Sequence, residues 1–158
     1  MSKTLIAYFS ASGVTARVAK EMAEAVDDDL YEICPAKPYT DADLNWTDKR
    51  SRSSLEMNDP ASRPAIAAPA VDMGQYDTVF VGFPIWWYVE PRIVDTFLES
   101  CDFSSKTLIP FATSGGSGID RAEKSLREHC PNAIWKKGGL LNGSGAADWV
   151  KRALNACG

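Results

Sequence analysis

Continuous apolar runs alternate along the chain with segments in which apolar residues recur every three or four positions. Runs of the first kind indicate strands that are covered on both faces, as in a parallel sheet with helices on either side. They predict strands at Thr4–Phe9, Leu30–Ile33, Thr78–Gly82 and Thr107–Ala112, and a weaker fifth around Ala133–Lys137 that continues toward Leu140 and Leu141. This alternation of strands and helices predicts right-handed crossovers and a doubly wound α/β fold.

Four segments with helical spacing accompany these strands. Their apolar faces consist of Val14, Val18, Met22 and Val26; of Ile93, Val94, Phe97 and Cys101; of Ile119, Ala122, Leu126 and Cys130; and of Trp149, Val150, Ala153, Leu154 and Cys157. Pro91 favours the first turn of the second helix, and Pro131 ends the third. We interpret Gly138 and Gly139 as a plain connection.

The connection 35–76 is the exception to this regular alternation. A structureless loop of that length is unusual in a compact domain, so we expect a helix near Asp41–Met57. Thr40 and Asp43 are placed to form a capping pair at its start. The proline-rich stretch Asp59–Pro69 is expected to run extended over the surface.

The loop after the first strand has the composition of a phosphate cradle. A turn from a buried strand into a helix leaves the first helical N–H groups without partners, and the helix dipole favours an anion there. The loop lacks Lys and Arg, so neutral donors would hold the phosphate, and the hydroxyls of Ser10 and Thr15 are expected to face ligand and solvent more than core. It contains neither the glycine-lysine motif of nucleoside triphosphate loops nor a dinucleotide-binding fingerprint. The residues concerned are Ser10, Ala11, Ser12, Gly13, Val14 and Thr15.

Two further loops follow the third and fourth predicted strands, and together with the first they resemble the flavodoxin family. The third strand leads into Pro84, Ile85, Trp86, Trp87 and Tyr88, which looks like the Pro-Ile-Trp-Trp loop of one flavodoxin-like subgroup. The fourth leads into Thr113, Ser114, Gly115, Gly116, Ser117 and Gly118. The resemblance covers nearly the whole chain and implies one flavodoxin-like domain over residues 1–158, a three-layer sandwich around a five-stranded parallel sheet of order 2-1-3-4-5.

In that strand order the three loops converge beside the topological switch point of the sheet. The resemblance implies FMN as cofactor, with its phosphate at 10–15 and its ring between the Pro84–Tyr88 loop and the loop of Thr113, Ser114, Gly115, Gly116 and Gly118. Trp86, Trp87 and Tyr88 offer faces on which a planar ring can stack. The cofactor carries the redox chemistry, so no catalytic side chain and no metal ligand is assigned.

Three classes of function remain open. The first is a flavodoxin-like electron carrier, which the short chain favours, and the second is an NAD(P)H- or quinone-dependent flavin reductase. A cofactor-free structural or signalling domain is the most distant alternative. A receiver domain would place an aspartate at the end of the third strand, where this chain has Gly82, Phe83 and Pro84, and a small tyrosine phosphatase would need a cysteine in the first loop.

Composition and net charge limit the kinds of partner that the protein is expected to bind. With 158 residues, a net charge of −4 and no basic region followed by an apolar stretch, the sequence predicts a soluble cytoplasmic protein that binds neither nucleic acid nor membranes. We expect redox partner proteins or a small electron acceptor as partners, and a monomer or weak dimer. Four scattered cysteines and one histidine argue against a zinc site or a disulfide framework. That histidine, His129, ends a predicted helix and is interpreted as a partner of its dipole.

Overall fold

The computed structural model describes residues 3–11, 13–67, 73–114, 118–141 and 145–157. Within these ranges the chain forms one parallel sheet with the order β2-β1-β3-β4-β5. A further short strand, β6, also pairs with β4, at residues that follow those paired with β5. The predicted strand order 2-1-3-4-5 is therefore confirmed. The strands are β1 (Thr4–Tyr8), β2 (Asp29–Glu32), β3 (Thr78–Pro84), β4 (Thr107–Thr113), β5 (Ile134–Trp135) and β6 (Gly139–Leu140).

Helices cover both faces of the sheet, which gives the expected three layers. On one face, Ile6, Phe80 and Ile109 pack against α1 and α5. On the other face, Leu5, Val79 and Leu108 pack against α3 and α4. The helices are α1 (Val14–Val26), α2 (Arg52–Asn58), α3 (Arg92–Ser100), α4 (Asp120–His129) and α5 (Ala146–Cys157). None of the described helices is both long and apolar enough to cross a membrane.

The fifth strand consists of two short pieces, and both pair with β4. Gly139 lies in the second piece rather than in a plain connection, which corrects its interpretation from the sequence. A Cβ atom on Gly139 would lie 2.6 Å from the indole of Trp149 on α5. The absence of a side chain therefore allows α5 to pack directly on this edge of the sheet.

The prediction of a helix at Asp41–Met57 is mostly wrong, because residues 41–50 form turns and α2 begins only at Arg52. Thr40 and Asp43 do bond reciprocally, at 3.0 and 3.1 Å, but they close a single turn. The side chains of Asn45 and Asp48 then accept hydrogen bonds from backbone N–H groups two residues ahead, which compete with helical pairing. Ser51 supplies the N-cap, where its Oγ accepts from the Ser54 N–H at 3.3 Å.

The long connection is fastened to the rest of the domain at several points. Pro35 and Ile66 form an antiparallel bridge between its two ends, so the Asp59–Pro69 stretch is extended here. Arg92 of α3 donates to the carbonyl of Met57, the next-to-last residue of α2, at 2.9 Å. Arg63 donates twice to the Glu99 carboxylate of α3, each time at 2.9 Å. These bonds hold the connection against α3. Residues 68 and 69 lie outside the described part of the chain.

Candidate functional site

The carboxyl ends of β1, β3 and β4 bring the three sequence-predicted loops together. The N–H of Phe9, just after β1, donates to the carbonyl of Gly82 at 2.9 Å. The N–H of Ile85, just after β3, donates to the carbonyl of Thr113 at 2.9 Å. Thr113 also meets Thr15 of α1, with 2.8 Å between their hydroxyl oxygens. Loops from three distant parts of the chain thus share one edge of the sheet.

The first loop leaves the start of α1 open. Gly13 is the N-cap residue, with a φ of 95° that favours glycine, and a Cβ built on it would meet no atom within 4 Å. Its own N–H donates to Ser10 Oγ at 3.1 Å, which shapes the turn. Among the described residues no side chain caps the helix, and its first turn carries no acidic residue. The exposed N–H groups and the dipole at this end suit an anion.

Thr15 departs from the expectation that its hydroxyl faces ligand and solvent. It is 1% exposed, and its hydroxyl meets that of Thr113. The buried side of α1 runs through Thr15, Val18, Ala19 and Met22, whereas Val14, predicted on the apolar face, is exposed. Ser10 and Ala11 are half-buried beside the loop. Ser12 lies outside the described residues.

The loop after β3 forms a tight turn with two aromatic residues at its tip. Trp86 and Val89 exchange two backbone hydrogen bonds, at 2.9 and 3.2 Å. Between them Trp87 and Tyr88 have φ values of 49° and 73°, in the left-handed region that bulky residues rarely occupy. Their side chains are 44% and 54% exposed. Strained backbone of this kind concentrates at functional sites.

Trp86 points the other way, into an aromatic cluster that we call the Phe9 cluster, formed by Phe9, Tyr39 and Trp86. Every pair of its rings meets edge to face, with centroids 5.5 to 5.7 Å apart. The cluster joins the first loop, the long connection and the turn after β3. Because Trp86 is packed here, Trp87 and Tyr88 are the aromatic residues of this turn that remain exposed.

Tyr39 is the member of the cluster that the sequence did not reveal, since nothing in the pattern of residues 35–76 marks it. Its hydroxyl donates to the Glu56 carboxylate, and the Arg52 guanidinium lies 3.8 Å from its ring centroid. Burial and the neighbouring carboxylate raise the pKa of Tyr39 well above its usual range. Tyr39 therefore stays a neutral hydrogen-bond donor that anchors α2 to the site.

A cleft with a volume of about 170 Å³ opens between the first loop and the start of the long connection. Ser10 and Ala11 line one side, and Cys34 and Tyr39 line the other, with Glu32 at the end of β2. The cleft therefore borders the open helix end on the side away from β3.

The third loop is described only in part. Thr113 is buried, Ser114 is half-buried and Gly118 is exposed. Gly115 and Gly116 were expected to contact a cofactor and lie outside the described residues. Arg17, near the first loop, is exposed.

The strand order, the open helix end and the turn at 86–89 define a flavodoxin-like α/β protein with a candidate anion site at its switch point. A family model described as flavodoxin matches residues 3–157. The chain therefore belongs to the flavodoxin family, as its three loops predicted.

Solved structures include close relatives of the chain. A candidate flavoprotein from Bacteroides eggerthii is 51% identical, covers 99% of this chain and 98% of its own, and has a TM-score of 0.93. One from Bacteroides uniformis is 56% identical, covers 98% of both chains and has a TM-score of 0.91. A flavoprotein from Lactobacillus acidophilus in complex with FMN is 23% identical, covers 89% of this chain and 93% of its own, and has a TM-score of 0.74, which shows a shared fold. A search of curated proteins gave no match.

Proposed function

We propose that the protein binds FMN noncovalently and transfers electrons through it. The observation that carries this proposal is the start of α1 at Gly13, which no described side chain caps and which lies at the same edge of the sheet as the turn at 86–89. An anion site and exposed aromatic faces at one edge of the sheet match the two parts of FMN, a phosphate and a planar ring. Membership of the flavodoxin family supports the same cofactor.

The residues of the site have separate tasks. The N–H groups at the start of α1 and the Ser10 side chain would hold the phosphate. The Trp86–Val89 turn and the Thr113 loop would flank the ring. FMN supplies the electron transfer when it is bound, and the protein orients the ring and sets its electrostatic surroundings.

Within this class, we propose the role of an electron carrier. Trp87 and Tyr88 stand exposed at the tip of the turn, where a partner protein can approach the ring. The cleft beside the first loop, at about 170 Å³, is smaller than the pockets of roughly 300–1,000 Å³ that small-molecule ligands usually occupy. A carrier needs no substrate pocket, and a cleft of this size is compatible with that role. Its partners would then be redox proteins rather than a diffusing substrate.

The second candidate is an NAD(P)H- or quinone-dependent flavin reductase. One feature favours it: Tyr39 and the long connection wall off one side of the first loop. Such a wall is of use to an enzyme that holds a second substrate beside its cofactor. Reduction of the FMN-loaded protein under anaerobic conditions separates the two roles. A carrier is reduced by a flavodoxin reductase and not by NADH or NADPH alone, whereas rapid reduction by either nucleotide would establish the reductase.

Titration of the apoprotein with FMN and with riboflavin tests the cofactor assignment. Each hydrogen bond to a charged group contributes about 1.5–3 kcal/mol, so several phosphate contacts dominate the affinity. We expect FMN to bind at least about a hundredfold more tightly than riboflavin. Equal affinities would show that the first loop is not a phosphate site.

A further inference from the structure

Two acidic side chains are completely buried behind the aromatic turn. Glu90 directly follows the turn, and Asp95 lies on the first turn of α3. Both are 0% exposed. Isolated carboxylates are seldom buried in this way, because removing an ionised carboxylate from water is costly unless other groups compensate for its charge.

The permanent cations nearby compensate for only one of the two charges. The nearest guanidinium nitrogen of Arg92 lies 3.8 Å from Asp95 Oδ2. Arg63, further away, forms its ion pair with Glu99. The Nδ1 atom of His129, on α4, lies 3.6 Å from an oxygen of each buried carboxyl group. With both carboxyl groups ionised and Arg92 as the permanent close cation, the cluster keeps one uncompensated negative charge.

The hydrogen bonds of the two carboxyl groups indicate that a donor is missing. Glu90 Oε2 accepts from the Ser125 hydroxyl at 2.9 Å. Glu90 Oε1 and both oxygens of Asp95 are buried, and none of them has a hydrogen-bond partner within the described part of the chain. One proton on Glu90 Oε1 would let that atom donate to one oxygen of Asp95, which pairs two of these three atoms, and it would remove the excess charge at the same time.

We propose that Glu90 and Asp95 share one proton, and that Glu90, as the neutral acid of the pair, is a positioning residue that fastens the aromatic turn to α4. Burial and the adjacent Asp95 raise the pKa of Glu90 to about 10, which supports this protonation state. The part concerning the turn rests on the proposed function.

A bound metal ion is another arrangement that would compensate for these charges. Glu90, Asp95 and His129 each offer one ligand atom, and these atoms lie within 4.8 Å of one another. However, His129 Nδ1 also lies 2.7 Å from the Ser125 carbonyl oxygen, so it faces only acceptors. A nitrogen in this position carries a hydrogen and has no lone pair for a metal. The geometry therefore favours the shared proton.

The link to the turn runs through α4 at two points. Ser125 donates to Glu90 at the base of the turn. The guanidinium of Arg121, one helical turn earlier, lies 4.9 Å from the centroid of the Tyr88 ring at its tip. Glu90 thus holds the base of a turn whose tip carries the exposed aromatic rings.

Infrared spectroscopy and unfolding of the apoprotein test the shared proton without any cofactor. The wild type should show the carbonyl stretch of a protonated carboxylic acid at neutral pH, and Glu90→Gln should lose this band. Glu128→Gln, the same change at an exposed position of α4, should keep it. Absence of the band from the wild type would overturn the proposal.

The pH dependence of stability gives a second reading on the same proteins. The folded-state pKa of Glu90 is raised from 4.5 to about 10, so its stabilising effect is complete below 4.5 and is lost as the pH rises through 10. Relative to Glu90→Gln, the wild-type folding constant should therefore fall by up to about tenfold for each pH unit across the neutral range. A ratio that does not change with pH would contradict the proposal.

FMN titration then tests the positioning role. Glu90→Gln replaces a neutral acid by a neutral amide and should keep the wild-type affinity, whereas Glu90→Ala should weaken binding about tenfold. If Glu90→Ala does not fold, Ser125→Ala removes the same link. If Glu90→Ala and Ser125→Ala bind FMN as tightly as the wild type, and the wild type shows the infrared band, then the shared proton stands and the positioning role of Glu90 is wrong. Stabilisation of the wild type by Zn²⁺ or Mn²⁺ that Glu90→Gln abolishes would replace the shared proton with a metal site.

Discussion

The hydroxyl groups of Thr15 and Thr113 join two loops that lie 98 positions apart in the chain. Thr15 was identified from the sequence as a loop residue of the site, but the direction of its side chain was not. Its spacing from Val18, Ala19 and Met22 is the signal that places it on the buried face of α1. A hydroxyl group in a loop motif is therefore better assigned after the helical face has been defined.

We expect Thr15→Ala to destabilise the apoprotein by about 1 kcal/mol, because the buried Thr113 hydroxyl loses its partner. Urea unfolding of the apoprotein measures this change. Thr15→Ser keeps the hydroxyl and serves as the control, with a smaller loss. Unchanged stability of Thr15→Ala together with faster FMN dissociation would show that the hydroxyl serves the ligand instead.

Among the structural elements, the turn at 86–89 holds aromatic residues with different roles. Trp86 packs in the Phe9 cluster, so its truncation damages the fold as well as the site. Trp87 is exposed, so its removal should leave the core intact. The sequence predicted an aromatic ring platform here, but it did not distinguish the packed tryptophan from the exposed one.

Trp87→Ala should raise the second one-electron potential of bound FMN with little effect on its affinity. An electron-rich indole and a site of low dielectric both disfavour added negative charge on the ring, and the substitution removes the indole. Dithionite titration of the FMN-loaded protein measures the potentials. Trp46→Ala, at an exposed position of the long connection, is the matched control and should change neither potential. Identical potentials in Trp87→Ala and the wild type would show that the indole does not act on the ring.

At the scale of the whole molecule, the long connection forms one wall of the site. Arg92 holds the connection in place by donating hydrogen bonds to carbonyl groups at the end of α2. Tyr39, near the start of the connection, packs against the Trp86 ring. The wall of the site is therefore formed by the irregular long connection and not by the helices that cross between the strands.

We expect Arg92→Met to loosen this wall while the sheet stays folded. Loss of hydrogen bonds from a charged donor costs about 1.5–3 kcal/mol, and the connection loses these bonds. Asp95 also loses its close cation, so the variant is less stable overall, and proteolysis is measured under conditions in which it remains folded. Limited proteolysis should then cut within 35–67 faster than in the wild type, at unchanged far-ultraviolet circular dichroism. Arg50→Met, at an exposed site of the same connection, should be cut at the wild-type rate. Equal rates for Arg92→Met and the wild type would mean that other contacts suffice.

The sequence predicted the sheet well and the connection poorly, for a physical reason. Strands β1, β3 and β4 are continuous apolar runs whose burial depends only on their own composition. The fold of residues 35–67 depends instead on contacts with α3 and the turn, such as those of Arg92 and Tyr39, which no local pattern encodes. The same holds for the Glu90–Asp95 pair, whose two members lie near each other in sequence but meet His129 only in the folded chain.

The left-handed backbone at Trp87 and Tyr88 has a consequence for how this protein would change under selection. Glycine or asparagine adopts these φ values more easily than an aromatic residue, so either would relax the turn. Laboratory evolution for heat resistance alone should therefore accumulate such replacements at 87 and 88. Lineages that are also selected for the proposed electron transfer should keep the aromatic pair and gain their heat resistance elsewhere.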